Sequence, residues 1–209
     1  MKFVKIRASL TAAFCGSLLA ACASAPAERF YTLLPADAVA AIPTPSPTYT
    51  VVVGPVTLPE LVDRPQIVVR TAANRVMIAE QARWAEPLKA EIPRVIAHHL
   101  GRQLPAAYVA TALQRAIPAP DYRISIDILR FESRPGEAAV IEAQWTVRPV
   151  QAGEATRGHA ILTEAAGTSY DEIAAAHGRA LMQLATRIAV GAPALREVGS
   201  RSRTSKGPE

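Results

Sequence analysis

The sequence predicts an α/β (α+β) sandwich: a mixed, largely antiparallel sheet with two main helices on one face. Runs of β-branched or alternating apolar residues recur along the chain, and two other segments repeat apolar residues at helical spacing. The order is strands, a helix, a three-strand meander and a second helix. Helices separated in this way are expected to cover one side of a sheet.

The first 28 residues form an export-related segment. Three basic residues among the first seven precede a mostly apolar stretch of roughly a dozen residues, as in a secretory signal peptide. A membrane-spanning helix needs about 20 apolar residues, so this stretch is too short to be a permanent anchor. Leu19-Ala20-Ala21-Cys22 resembles the bacterial lipobox, whose cysteine receives lipid. We expect a signal peptide over residues 1–21 and a tether over residues 22–28 lipidated at Cys22; the alternative is a plain signal peptide with an incidental cysteine.

The mature chain has the size and charge of one nearly neutral domain. Removal of residues 1–21 leaves 188 of the 209 residues, enough for one hydrophobic core. We expect that domain over residues 29–195 and a disordered polar tail over residues 196–209. Of the net charge of +5, the signal peptide carries +3, and the tail, with four basic and two acidic residues, carries the other +2. A neutral domain argues against binding to nucleic acid.

The first strands and their turns come from short apolar runs. Residues 29–34 form a strand-like run directly after the tether, and the β-branched run 50–53 is ended or bent by Gly54-Pro55. The apolar runs 66–70 and 75–79 are joined by a short turn. These two runs predict a hairpin.

Two segments have helical periodicity. The first predicts a helix over residues 86–104, bent or restarted near Ile92, because Pro93 lies inside it and an interior proline costs about 3 kcal/mol. The second begins at a capping box formed by Ser169 and Glu172, and a following glycine and proline end it.

Between the helices lies the predicted meander. Apolar and polar residues alternate until the phase changes at Leu129, which predicts a β-bulge near Ile128. Pro135-Gly136 then turns the chain into a second alternating strand over residues 141–148. A third, weaker strand is expected over residues 157–163.

No residue pattern indicates catalysis. Cys15 lies in the signal peptide and Cys22 is committed to lipid, so the mature chain keeps no thiol for a disulfide, a metal site or a nucleophile. The adjacent His98 and His99 project about 100° apart on a helix and form no metal-binding pair, and His159 and His177 are isolated. Nucleophile-elbow and phosphate-binding glycine motifs are absent. We expect solvated histidines, no cofactor, no metal and no enzymatic activity.

A proline-punctuated loop stands out between the strand at residues 50–53 and the predicted hairpin. It combines rigid prolines with an Asp63–Arg64 pair and leads into a strand. One interpretation is a purely structural loop with a local ion pair worth under about 1 kcal/mol. The other is a partner-docking loop, since loops on rigid scaffolds often carry recognition. The candidate contact residues are Leu58, Pro59, Glu60, Asp63, Arg64, Pro65 and Gln66.

This loop also carries a family resemblance. Residues 54–70, Asn74-Arg75, the block 83–88, the run 129–132 and Trp145 resemble the ABC-type transport auxiliary lipoprotein family, of the paraquat-inducible protein C type. The resemblance covers roughly residues 29–192. It implies a non-enzymatic periplasmic adaptor that works with an MCE-domain protein and with inner-membrane ABC and permease components in lipid or apolar-solute trafficking. It leaves open whether the chain forms homo-oligomers.

The resemblance and the lipobox together bear on location and on the competing functions. Ala23 is not the aspartate that retains lipoproteins in the inner membrane of enteric bacteria, so the outer membrane is favoured, with the domain on its periplasmic face. Two alternatives to the adaptor are a lipid-binding carrier with its own apolar cavity and a structural lipoprotein of another envelope complex. The apolar residues are largely accounted for by the predicted helices and strands, which leaves little surplus for a pocket.

Overall fold

The computed structural model describes residues 27–33, 47–112 and 119–195. The predicted signal peptide, Cys22, most of the tether and the predicted tail lie outside these residues. The strands are β1 (Arg29–Tyr31), β2 (Tyr49–Thr57), β3 (Gln66–Ala72), β4 (Arg75–Trp84), β5 (Ala107–Thr111), β6 (Tyr122–Arg134), β7 (Ala138–Pro149) and β8 (Thr156–Ala165). The helices are α1 (Leu88–Gln103) and α2 (Tyr170–Gly191).

One strand, β6, organises the eight-stranded sheet. It pairs along its whole length with β7, which in turn pairs with β8. On its other side β6 pairs first with β2 and then, near its end, with β3. β5 extends the sheet beyond β2, and β4 and β1 extend it beyond β3. The sheet is mixed and its long ladders are antiparallel, which confirms the predicted fold class.

The meander confirms the predicted hairpin and bulge. The β6–β7 register shifts between Ile128 and Arg130, where the bulge was expected. Leu129, expected on the apolar face after the phase change, is instead 47% exposed. It is the residue that the shift leaves without a partner, and the buried positions resume at Phe131.

The sequence left open whether Gly54-Pro55 ends or only bends the second strand, and in the structure β2 continues through these two residues. The chain passes through Gly54-Pro55, and the register with β6 shifts between Val53 and Val56. Gly54 has φ 117°, a backbone conformation that favours glycine. The glycine and proline therefore bend the strand and do not end it.

The structure confirms the predicted β3–β4 hairpin, and the short strands β1 and β5 join the sheet in parallel at other places. β1 pairs with β4, and β5 pairs with β2. No strand was expected at β5. Its five residues, Ala-Tyr-Val-Ala-Thr, are too few to display a period.

The first helix was predicted to bend or restart near Ile92, and the structure excludes the restart. α1 runs without a restart from Leu88 to Gln103, although Pro93 lies inside it. Pro93 is only the sixth helical residue and its ring is buried, so one lost hydrogen bond is offset by packing. α2 starts at the predicted capping box: the Ser169 hydroxyl accepts from the Glu172 N–H, and the Glu172 carboxylate accepts from the Ser169 N–H.

Both helices lie on one face of the sheet. α1 packs against β2 and β5, α2 packs against β7 and β8, and the two helices contact each other. Between the layers lie fully buried residues such as Ile124, Ile126 and Leu181. Each such side chain contributes about 1.5–3 kcal/mol by leaving water. This interface is the main hydrophobic core.

Candidate functional site

The candidate loop, residues 58–65, connects β2 to β3, the two strands that pair with β6 one after the other. β2 pairs with β6 as far as Thr57 and Asp127, and β3 pairs with it at Val69 and Ser133. At the end of β2 the Thr57 hydroxyl donates to the Asp127 carboxylate at 2.7 Å. The loop thus connects two strands that follow one another along the same side of β6.

A single turn of helical hydrogen bonding shapes the loop. The Pro59 carbonyl accepts from the N–H groups of Val62, at 3.0 Å, and Asp63, at 3.2 Å. Val62 is buried in the core, and Leu58 packs against that core. The loop is therefore anchored from within by its apolar residues.

Asp63 pairs with a helix and not with its neighbour. Its carboxylate lies 2.6 Å from the ammonium of Lys89, in the first turn of α1. The local Asp63–Arg64 ion pair considered from the sequence does not form, because the Asp63 carboxylate is directed towards Lys89 of α1. Within the described part of the chain Arg64 makes no ion pair, and its Nε atom is buried without a hydrogen-bond partner.

The far end of the loop is fixed to β4. The Pro65 carbonyl accepts from the Trp84 N–H at 2.7 Å, and Gln66 lies opposite Arg83 in the sheet. With Asp63 held by α1, the loop is tied to two elements beside its own strands. These contacts restrict the backbone of the loop.

The seven predicted contact residues divide by exposure. Glu60, Asp63 and Pro65 are exposed, and Leu58, Pro59, Arg64 and Gln66 are half-buried. Leu61, which the prediction omitted, is 43% exposed. Residues 61 and 62 are adjacent and both apolar, and the sequence alone did not show that residue 61 faces solvent and residue 62 the core.

The segment that enters the domain is tied to the same region. Glu28 forms a salt bridge of 2.7 Å with Arg83, the residue opposite Gln66. The Leu33 N–H donates to the buried Glu91 carboxylate of α1 at 2.6 Å. Residues 27–33 are therefore held against the domain by β4 and α1.

His177 is buried, which corrects the expectation of a solvated histidine. Its Nε2 lies 2.9 Å from the Ser133 hydroxyl, and its ring stacks on Phe131 with 3.9 Å between centroids. Burial lowers the pKa of His177 to about 3, so the ring is neutral at pH 7. Both partners of this serine–histidine contact are buried, which makes it a core hydrogen bond inaccessible to a substrate.

The other histidines differ in exposure. His98 and His99 are half-buried, and burial is the main cause that lowers the pKa of each, whereas His159 is exposed beside Glu142. Among the described residues, no cluster of three or more His, Cys, Asp or Glu side chains is suited to hold a metal ion.

Neither α1 nor α2, the long helices of the described ranges, has the length and apolarity needed to span a membrane.

Comparison with known families decides the class of protein. The family described as "ABC-type transport auxiliary lipoprotein component" matches residues 31–189. The chain belongs to this family. The resemblance inferred from the sequence motifs is thereby confirmed, and the match includes the candidate loop, the whole of α1 and α2 as far as residue 189. No curated protein matches the chain.

Solved structures support the fold of this family member. A crystal structure of an uncharacterized protein has a TM-score of 0.64 and 20% identity, and the match covers 79% of this chain and 98% of the other. Protein XCC0632 from Xanthomonas campestris has a TM-score of 0.56 and 22% identity, with 87% of this chain and 98% of the other covered. At these identities the likeness concerns the fold alone.

Proposed function

We propose that this auxiliary lipoprotein is a docking adaptor, anchored by lipid at Cys22 to the periplasmic face of the outer membrane. In this proposal it holds an MCE-domain protein that works with inner-membrane ABC and permease components in lipid or apolar-solute trafficking. Family membership supports a transport role. The observation that carries the docking role is the loop of residues 58–65, which exposes Glu60 and Leu61 on a frame held by α1 and β4.

The geometry of the loop suits recognition for an energetic reason. Ordering an interface side chain costs about 0.5–1.5 kcal/mol, and a loop ordered before binding avoids much of that cost. Leu61 offers an apolar contact, and Glu60 and the half-exposed Asp63 carboxylate place negative charge beside it. A partner surface with an apolar depression and a basic rim would complement this loop.

The adaptor proposal includes the domain limits. A signal peptide over residues 1–21, a tether over 22–28, a domain over 29–195 and a tail over 196–209 are parts of this proposal. The short tether would keep the domain within roughly 25 Å of its lipid, since each residue spans at most about 3.6 Å. An adaptor so placed can hold a partner at the membrane surface.

Two alternatives fit less well. A carrier would need an enclosed apolar cavity, whereas the described residues between the helices and the sheet form one buried apolar cluster. A structural lipoprotein of another envelope complex would not need membership of a transport family. An adaptor has no need for a catalytic constellation, in agreement with the proposed absence of enzymatic activity.

Pull-down of the MCE-domain protein from the same cell tests the docking role. We expect the double variant Glu60→Lys, Leu61→Asp to capture severalfold less MCE-domain protein than the unmodified lipoprotein. Ile161→Asp is the matched control, because Ile161 is 55% exposed on β8, at the opposite edge of the sheet. Equal capture by loop variant and control would contradict the loop assignment, and no capture by the unmodified protein would contradict the adaptor.

A further inference from the structure

An irregularity in β4 opens a cleft at the β1 edge of the sheet. Gln66 pairs with Arg83, but the next residue, Ile67, pairs with Ala79, so residues 80–82 have no partner on β3. Beside this bulge lies a cleft of about 600 Å³. Its lining includes residues 77–82 of β4, Tyr31 of β1 and Tyr170 at the start of α2.

Apolar side chains are exposed on β1 and β4, the two strands that line this cleft. Phe30 is 61% exposed on β1, and Val76 and Met77 are 36% and 48% exposed on β4. Met77 also lines the cleft. Phe30 lies opposite Arg83, six positions along β4 from Met77, so these side chains follow one edge of the sheet and do not form a single cluster. A row of exposed apolar side chains along one edge suits an extended apolar surface such as a bilayer. Phe and Met side chains suit the boundary between headgroups and acyl chains.

The described chain begins at the rim of the same cleft. Ala27, the first described residue, lines it. Cys22 is five residues earlier, so its Cα lies within about 18 Å of that of Ala27. The Glu28–Arg83 salt bridge of 2.7 Å and the hydrogen bond from Leu33 to Glu91 fix the following residues to the domain. The cleft is therefore the part of the domain from which the tether departs.

The charges at the cleft match a zwitterionic headgroup. Arg29 and Glu80 both line it. Neither forms an ion pair with another residue in the described part of the chain. A guanidinium binds phosphate through a planar set of donors, and a carboxylate accepts hydrogen bonds from an ammonium group. Phosphatidylethanolamine presents both partner groups.

We propose that this edge of the domain rests on the phospholipid bilayer, with Phe30 and Met77 at the headgroup boundary and headgroups bound at Arg29 and Glu80. The proposal rests on the lipid anchor at Cys22 for its orientation. It adds a second, non-covalent contact to that anchor. The domain would then have a fixed orientation on the membrane, so that its docking loop is not free to rotate.

Site-directed spin labelling of the whole lipoprotein tests this contact. Cys15 lies in the predicted signal peptide and Cys22 would be acylated, so an introduced cysteine is the single free thiol. The labels are placed at Phe30→Cys and Met77→Cys, with Ile161→Cys as the control of similar exposure on the opposite edge. The protein is purified from membranes and reconstituted in phosphatidylethanolamine–phosphatidylglycerol vesicles. Collision rates of the label with oxygen and with a water-soluble nickel complex are then compared.

We expect the ratio of oxygen to nickel collisions at positions 30 and 77 to exceed that at position 161 severalfold. Equal, water-like ratios at all three positions would overturn the proposal. Labels at 30 and 77 that are immobilised but inaccessible to both reagents would also overturn it, because a protein partner would then cover the cleft.

A separate measurement distinguishes failure of the anchor from failure of this contact. Mass spectrometry of the unlabelled protein reports acyl chains on Cys22. If none are found, Cys22→Ser is added and the labelled protein is mixed with the same vesicles. Immersed labels would then support the bilayer contact without the anchor, and aqueous labels on an acylated protein would refute the contact while the anchor stands.

Discussion

The backbone carbonyl of Leu33 lies where a side chain at Gly178 would begin. A Cβ atom built on Gly178 would be 2.4 Å from the Leu33 oxygen. The entering segment and α2 thus approach each other at a point that has room for glycine only. Leu33 itself is 1% exposed, so this contact belongs to the core.

We predict that Gly178→Ala destabilises the domain by about 1–3 kcal/mol, the usual cost of overpacking a core. Gly101→Ala in α1 is the matched control, because nothing lies within 4 Å of a Cβ there. Alanine should stabilise that helix by up to about 1 kcal/mol. Urea unfolding measures both variants, and a stabilising Gly178→Ala would contradict the close approach.

The capping box of α2 gives a second prediction. Ser169→Ala removes the acceptor of the Glu172 N–H, at 3.2 Å, and should lower the free energy of unfolding by about 1 kcal/mol. Ser169→Thr keeps both the capping oxygen and the hydroxyl that donates to the Glu172 carboxylate at 2.7 Å, and should stay within a few tenths of a kcal/mol of the unmodified protein. Thermal unfolding compares the three. An equal loss in both variants would show that the cap does not act through this oxygen.

Buried His177 should make the domain sensitive to acid. Burial lowers its pKa from 6.5 to about 3, so the unfolded chain binds a proton between these values and the folded chain does not. Stability is therefore complete above about pH 6.5 and falls below it by up to about 1.4 kcal/mol per pH unit from this residue. The neighbouring Ser133, Phe131 and Trp84 do not titrate in this range.

The variant His177→Gln tests this assignment. Glutamine does not titrate and retains a group that can hydrogen-bond to Ser133. We expect its unfolding free energy to be lower at pH 7 but to change less between pH 6.5 and 4 than that of the unmodified protein. Parallel pH profiles of the two proteins, measured by urea unfolding, would exclude His177 as the source.

The Asp63–Lys89 ion pair should contribute little to global stability. Its side chains are 34% and 50% exposed, and pairs of this kind contribute about 0–1 kcal/mol. Lys89→Met should therefore cost less than about 1 kcal/mol, and 0.5 M salt should remove most of the difference from the unmodified protein. Thermal unfolding at low and high salt measures it. A salt-independent loss well above 1 kcal/mol would mean that Lys89 acts through packing.

Long periodic elements were predictable from the sequence, and short ones were not. The β6–β7 hairpin, the β3–β4 hairpin and the cap of α2 follow from alternation, turn residues and Ser169 with Glu172, all of which are local signals. β5 is too short to show a period, and its pairing with β2 connects residues more than fifty positions apart. Tertiary pairing of that kind leaves no local trace.

The candidate loop was predictable as a feature but not in its contacts. Two prolines and a following strand marked it, whereas the partner of Asp63 depended on where α1 begins. For His177, the helical spacing with Ile173, Ala180, Leu181 and Leu184 placed it near the apolar face of α2. That signal was present, yet His177 was expected to be solvated, and the structure corrects this through its burial and its contacts with Ser133 and Phe131.

The role of β6 has a consequence for the order in which the molecule is completed during synthesis. β2 and β3 both pair with β6, yet they precede it in the chain by more than fifty residues. Until β6 is available, the N-terminal half can form only two separate pieces of sheet, β1–β4–β3 and β2–β5 with α1, because β6 is the strand that joins them. The meander of β6, β7 and β8, by contrast, is contiguous in sequence. A nascent or partly translocated N-terminal half should therefore remain open to proteases and chaperones until the second half arrives and closes the sheet around it.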